Sequence, residues 1–114
     1  VDLIDLLEDG KHYHLADFKT NKTLQKKNKY GNMMLKPLDH LDDTSWQHYI
    51  LQLNLYAHIL SEYGYVCDSM RIFYINPETR LIEDHEIPDA KKDVIKLIKH
   101  YKSKQPARID LTNF

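Results

Sequence analysis

One cysteine, three glycines and four prolines in 114 residues leave few of the usual devices for irregular folds. The lone Cys67 excludes an internal disulfide and a four-thiolate metal cluster, and points to a reducing compartment. Scarce glycine and proline, with 42% hydrophobic residues, exclude a disordered or collagen-like chain. No apolar run is long enough to span a bilayer and no signal-peptide pattern is present, so the expected setting is cytoplasmic, with no membrane partner and no secretion. Repeats and low-complexity tracts are also missing, and the length suits one domain rather than two.

What is present begins with a hairpin. Val1–Leu7 and His12–Lys19 read as two strands, and Asp9-Gly10 between them is a strong two-residue turn signal. With that turn Glu8 faces Lys11 and Asp2 faces Asp17. Directly opposed residues share a sheet face, so Asp2, Ile4, Leu6, Tyr13, Leu15, Asp17 and Lys19 fall on one side. Asp5, His12, His14 and Phe18 fall on the other. Two carboxylates side by side repel, and a hard divalent cation between them removes the repulsion. Asp17 and Lys19, two apart on a strand, place an acid and an ammonium toward the same reacting group.

A long helix is expected after Thr44. Thr44-Ser45-Trp46-Gln47 has capping-box spacing, Gly64 suits the position after the helix end, and the apolar residues between predict burial on most sides. Gln52 and Tyr56 lie one turn apart on it. Ser69–Asn76 and Arg80–Ile87 read as strands about a turn at Pro77. Pro88 and Asp89 open an amphipathic helix with Val94, Leu97, Ile98 and Tyr101 inward. Residues 104–114 read as an extended tail.

Asp2, the Asp17-Phe18-Lys19 triplet followed by Thr20, and Gln52-x-x-x-Tyr56 together resemble the PD-(D/E)xK nuclease superfamily, and within it the RecB-type exonuclease branch with its phage and viral members. The resemblance runs over residues 1 to about 75. It implies an α+β, restriction-endonuclease-like fold: a mixed central sheet flanked by helices, in the order β-β-α-β-β-α, over residues 1–103. The upstream helix of that family has no counterpart here, which implies a catalytic core or the C-terminal part of a larger nuclease. By the resemblance Asp2, Asp17, Lys19, Gln52 and Tyr56 are the catalytic set. Asp2, Asp17 and the Phe18 main-chain carbonyl are the ligands of Mg²⁺ or Mn²⁺, without the iron–sulfur cluster of some relatives. The implied activity is metal-dependent hydrolysis of DNA in recombination, repair or phage replication, with a helicase, a recombinase or a further domain as partner. The location is then cytoplasmic, or nuclear or viral according to source.

Charge distribution adds to this. From Lys19 to Lys36 stand six lysines and no acid, and Lys22, Lys26, Lys27 and Lys29 occupy a loop-like stretch that leaves the strand end carrying Asp17 and Lys19. A lysine run is most often a solvated surface. Its origin at the acid–lysine strand end favours contact with a phosphate backbone. Seven histidines show no metal-ligand spacing, and Cys67 has no nucleophile's partner in sequence. The alternative expectation is a non-catalytic nucleic-acid-binding or assembly module that retains the nuclease fold.

Overall fold

A computed structural model of the chain describes residues 3–20 and 31–104. The order is β1 (Leu3–Leu6), β2 (His12–Lys19), α1 (Ser45–Glu62), β3 (Val66–Ile75), β4 (Ile82–Glu86) and α2 (Lys91–Lys104). This is a mixed α+β arrangement, with a four-stranded sheet in the order β1-β2-β3-β4. β1 and β4 run antiparallel to their neighbours, while β2 and β3 are parallel. A parallel pair needs a long crossover, and α1 supplies it.

The hairpin register is the expected one. Leu3 pairs with Ala16, Ile4 with Leu15, Asp5 with His14 and Leu6 with Tyr13. The turn differs from the two-residue expectation. The Leu7 N–H donates to His12 O at 2.8 Å, the Gly10 N–H to Leu7 O at 3.0 Å, and Gly10 sits at φ 68°. Glu8–Lys11 therefore form a longer turn, and the Asp9 carboxylate accepts the Lys11 and His12 N–H groups at 2.9 Å each. Because Leu7 and His12 still face each other, the longer turn preserves the register.

Thr44 caps α1, its hydroxyl accepting the Gln47 N–H at 3.2 Å. At the other end the Tyr65 N–H reaches Leu60 O and the Gly64 N–H reaches Ser61 O, with Gly64 at φ 89°. These are the paired bonds of a Schellman ending, which needs a residue in the left-handed region. Burial of α1 is narrower than expected. Ile50 and Leu53 pack on Tyr13, Leu15, Ile72 and Ile87, whereas Tyr56 and Ile59 stay exposed. One sheet face on one side and α2 on the other cover only part of an apolar helix.

The second hairpin matches its expected turn, although β3 starts earlier, at Val66, and β4 is shorter. Helix α2 begins at Lys91, later than Pro88-Asp89, with Asp89 accepting the Lys91 N–H at 2.9 Å. Asn54 ties the two helices together: its amide donates to Ile50 O and Pro88 O and accepts the Ala90 N–H, at 2.8, 3.0 and 2.8 Å. Of the expected inner stripe of α2, Val94 is buried but Tyr101 is not. No helix among the described residues is long and apolar enough to cross a membrane.

Candidate functional site

Strand alternation brings Asp17 and Lys19 to the sheet face covered by α1. They stand at the carboxyl ends of the two parallel strands, where open crevices form in sheets of this kind. Asp17 is 4% exposed. Its Oδ2 lies 3.0 Å from Lys19 Nζ, and its Oδ1 accepts the Phe18 N–H at 3.1 Å. A buried carboxylate is stable only where charge or hydrogen bonds compensate its lost hydration, and here an ammonium and a backbone amide both do so. Lys19 Nζ also stands 4.6 Å from the centre of the Tyr49 ring on α1, a cation–π arrangement that fixes the ammonium on a second side.

Across β3 and β4 the register sets two rows on this face. Asp17 pairs with Ile72 and Ile72 with His85; Lys19 pairs with Tyr74 and Tyr74 with Glu83. Acid, lysine, tyrosine, glutamate and histidine are thus neighbours beneath the start of α1, where the Trp46 ring meets His85 edge-on at 5.6 Å. Tyr74 is 3% exposed, and its buried hydroxyl has no hydrogen-bond partner among the described residues. Burial first, and then the carboxylates of Glu83 and Glu78, push its phenol above the ordinary range.

Of the residues singled out in the sequence, Asp17 and Lys19 are in direct contact. Phe18 turns to the opposite face and stacks on Phe73, ring centres 5.5 Å apart. Gln52 and Tyr56 are exposed on α1. Gln52 opens on a groove of about 810 Å³ between α1, α2 and the 33–38 segment, floored by Leu51, Leu55 and Leu97. Asp2, Lys22, Lys26, Lys27 and Lys29 lie outside the described residues, as does the tail beyond Lys104. Sequence reasoning missed Tyr49 and Tyr74. Tyr49 falls among apolar helix residues, and only the packing of α1 turns its ring to Lys19. Tyr74 does share the face of Asp17 once the parallel register is known, but a parallel pairing is not visible locally. His14 Nδ1 pairs with Ser69 Oγ at 2.6 Å, and His40 and His48 each meet a carboxylate at 2.7 Å. Among the described residues no group of three or more acidic, histidine or cysteine side chains is arranged to hold a metal.

No protein-family model matches the chain, and no curated protein or solved structure matches it.

Proposed function

We propose that the chain is the core of a metal-dependent nuclease that hydrolyses DNA phosphodiester bonds, with Asp17 and Lys19 at its centre. The observation that carries the reading is the buried carboxylate and the ammonium held 3.0 Å apart on one face, at the carboxyl ends of parallel strands. Support also comes from the hairpin register, in which each described pair sums to nineteen, the register on which the expected Asp2–Asp17 pairing rests.

The donor chemistry suits a hard divalent cation. Asp17 offers anionic oxygen in a buried setting, and among the described residues Lys19 and the Phe18 amide compensate it, so a cation such as Mg²⁺ or Mn²⁺ would replace part of what Lys19 supplies. Asp17, Asp2 and the Phe18 carbonyl would hold it. When bound, the metal supplies an acidified water and neutralises a non-bridging phosphate oxygen. Lys19, released from Asp17, then directs its ammonium at the charge that grows on the phosphate, while Tyr49 limits where that ammonium can go. Gln52 and Tyr56, exposed on the same helix, would in this reading meet the flanking nucleotides.

The test is cleavage of end-labelled linear and closed-circular DNA with Mg²⁺, with Mn²⁺ and with EDTA. Asp17→Asn and Lys19→Ala are expected to lower metal-dependent loss of the linear substrate by at least about a hundredfold, with far-UV circular dichroism unchanged. Cleavage at the wild-type rate in both variants would sink the proposal. DNA binding that ignores chelator, with no cleavage under any condition, would favour the binding-module alternative.

A further inference from the structure

Strand β3 carries a bulge against β2. Tyr13 pairs with Cys67 but His14 pairs with Ser69, so Asp68 is an extra residue between them. Bulges are rare in parallel pairs and recur beside active sites, where they re-aim a side chain. Here the bulge turns Cys67 and Ser69, two residues apart, to opposite faces of the sheet. Cys67 packs on the core side with Tyr13, and Ser69 comes out beside His14 on the side away from α1. The Cys67 thiol donates to Ser69 O at 3.3 Å, which holds the bulge in place. His14 Nδ1 then meets Ser69 Oγ at 2.6 Å. A serine–histidine contact between strands is by itself ordinary surface structure. This one stands in a row with Asp5, which faces His14 from β1. It also borders a cavity of about 400 Å³ floored by Ala16 and walled by Leu3 and Phe73, into which Arg71 is set two residues beyond Ser69.

We infer that Ser69 is a nucleophile activated by His14, in a site that hydrolyses carboxylic esters of small, uncharged, apolar acyl groups. In the tautomer with the proton on Nε2, His14 Nδ1 accepts the Ser69 O–H and is placed to take its proton. Ser69 Oγ bonds to the carbonyl carbon as that proton passes to Nδ1. His14 returns the proton to the alcohol oxygen as the ester C–O bond breaks, which leaves acyl-Ser69. Water then attacks the acyl carbon and gives a proton to His14, and the acid departs as Ser69 Oγ takes that proton back. Asp5 answers the charge on the ring between these transfers, since directly opposed Cβ atoms lie about 5 Å apart. Arg71 spends one N–H on Asp84 Oδ1, at 2.9 Å, and its fork keeps further donors for the carbonyl oxygen. Leu3, Ala16 and Phe73 receive the acyl chain. Asp5, Asp84 and Glu86 share this face and repel an anionic substrate, which argues against a phosphodiester here. An open, wet site stabilises an oxyanion weakly, so esters rather than amides are within its reach. Asp17 and Lys19 lie on the other face, and the inference does not rest on the nuclease reading.

The experiment is hydrolysis of p-nitrophenyl butyrate by the full chain in EDTA, with intact-mass analysis after exposure to diisopropyl fluorophosphate. The wild-type chain is expected to hydrolyse the ester above the buffer rate and to gain one diisopropylphosphoryl group, located on Ser69 by peptide mapping. Ser69→Ala is expected to lose the label. Ser69→Ala and His14→Gln should each lower the hydrolysis above buffer by at least about a hundredfold. Circular dichroism checks that each variant is folded, and labelling of the wild-type chain needs no variant at all. Hydrolysis at the buffer rate with no label would overturn the inference. So would a label on another residue, or wild-type hydrolysis in Ser69→Ala. Because neither DNA nor metal enters the readout, failure here leaves the cleavage result of Asp17→Asn standing, and failure there leaves this site standing.

Discussion

Asp9 and Asp17 show how position decides what a carboxylate does. Asp9 is in the first turn, where two backbone N–H bonds and His12 hold its acid near pKa 2 against an ordinary 3.8. A depressed value means that the unfolded chain binds the proton more readily between those limits, so stability rises with pH there. The contribution of Asp9 is therefore complete above about pH 4 to 5 and disappears as pH falls toward 2. Acid unfolding of Asp9→Ala beside wild type should show a stability gap at pH 6 that closes near pH 2. A gap of constant size would contradict this. Asp17, by contrast, is buried, and its charge is answered by Lys19 and the Phe18 N–H. Its residue types were readable from the chain, since Asp-x-Lys alternation alone puts them on one face. Tyr49 and Tyr74 were not, because a tyrosine in an apolar run looks the same whether it packs in the core or leans on an ammonium. Cys67 remains a quiet residue: burial pushes its thiol above the ordinary value, which suits a structural role.

At the scale of elements, the two ends of α1 were the most legible features, because they rest on contacts within a few residues, whereas the turn at Asp9-Gly10 came out longer than its dipeptide predicts. The Thr44 hydroxyl on Gln47 N–H and the Gly64 ending both follow from local sequence. Thr44→Ala should cost about 1 kcal/mol of stability in urea unfolding, and Thr44→Ser should recover most of it. Asn54 was not legible. It binds the carbonyl of Pro88 and the N–H of Ala90, more than thirty residues away, and nothing in the Gln-Leu-Asn-Leu pattern marks it as a brace between α1 and α2. Asn54→Ala strands a buried carbonyl and an N–H, so a loss of about 2 kcal/mol is expected in the same measurement. α2 was legible as amphipathic but not in its start, because Asp89 forms a turn onto Lys91 before the helix begins.

On the scale of the whole molecule, one core joins the sheet to α1, α2 packs against α1, and the candidate site sits at the core's edge. Leu53 is fully buried between Tyr13, Leu15 and Ile72, so Leu53→Ala should destabilise by about 2–5 kcal/mol, read from chemical denaturation. Metal binding at Asp17 would appear in the global transition as well. A ligand that binds only the folded state adds about 2.7 kcal/mol at a hundred times its dissociation constant. Saturating Mn²⁺ should thus raise the melting temperature of the wild-type chain and leave that of Asp17→Asn unmoved. An equal rise in both would place the ion elsewhere. Surface left open is also a property of the whole fold: with α1 alone on the sheet and α2 packed against α1, Ile4 and Leu6 of β1 stay exposed and, among the described residues, the groove beside α2 stays open.

The sequence by itself determined the order of the elements, the hairpin register, the limits of α1 to within a residue or two, and the pairing of Asp17 with Lys19. Each depends on alternation, helical spacing or a capping group, all written within a short span of chain. Tertiary structure decided the parallel pairing of β2 with β3, the exposure of Gln52, Tyr56 and Tyr101, and the meeting of Tyr49 and Tyr74 with the acid–lysine pair. Those depend on which surfaces remain once α1 has crossed over the sheet, and only packing between distant segments sets them.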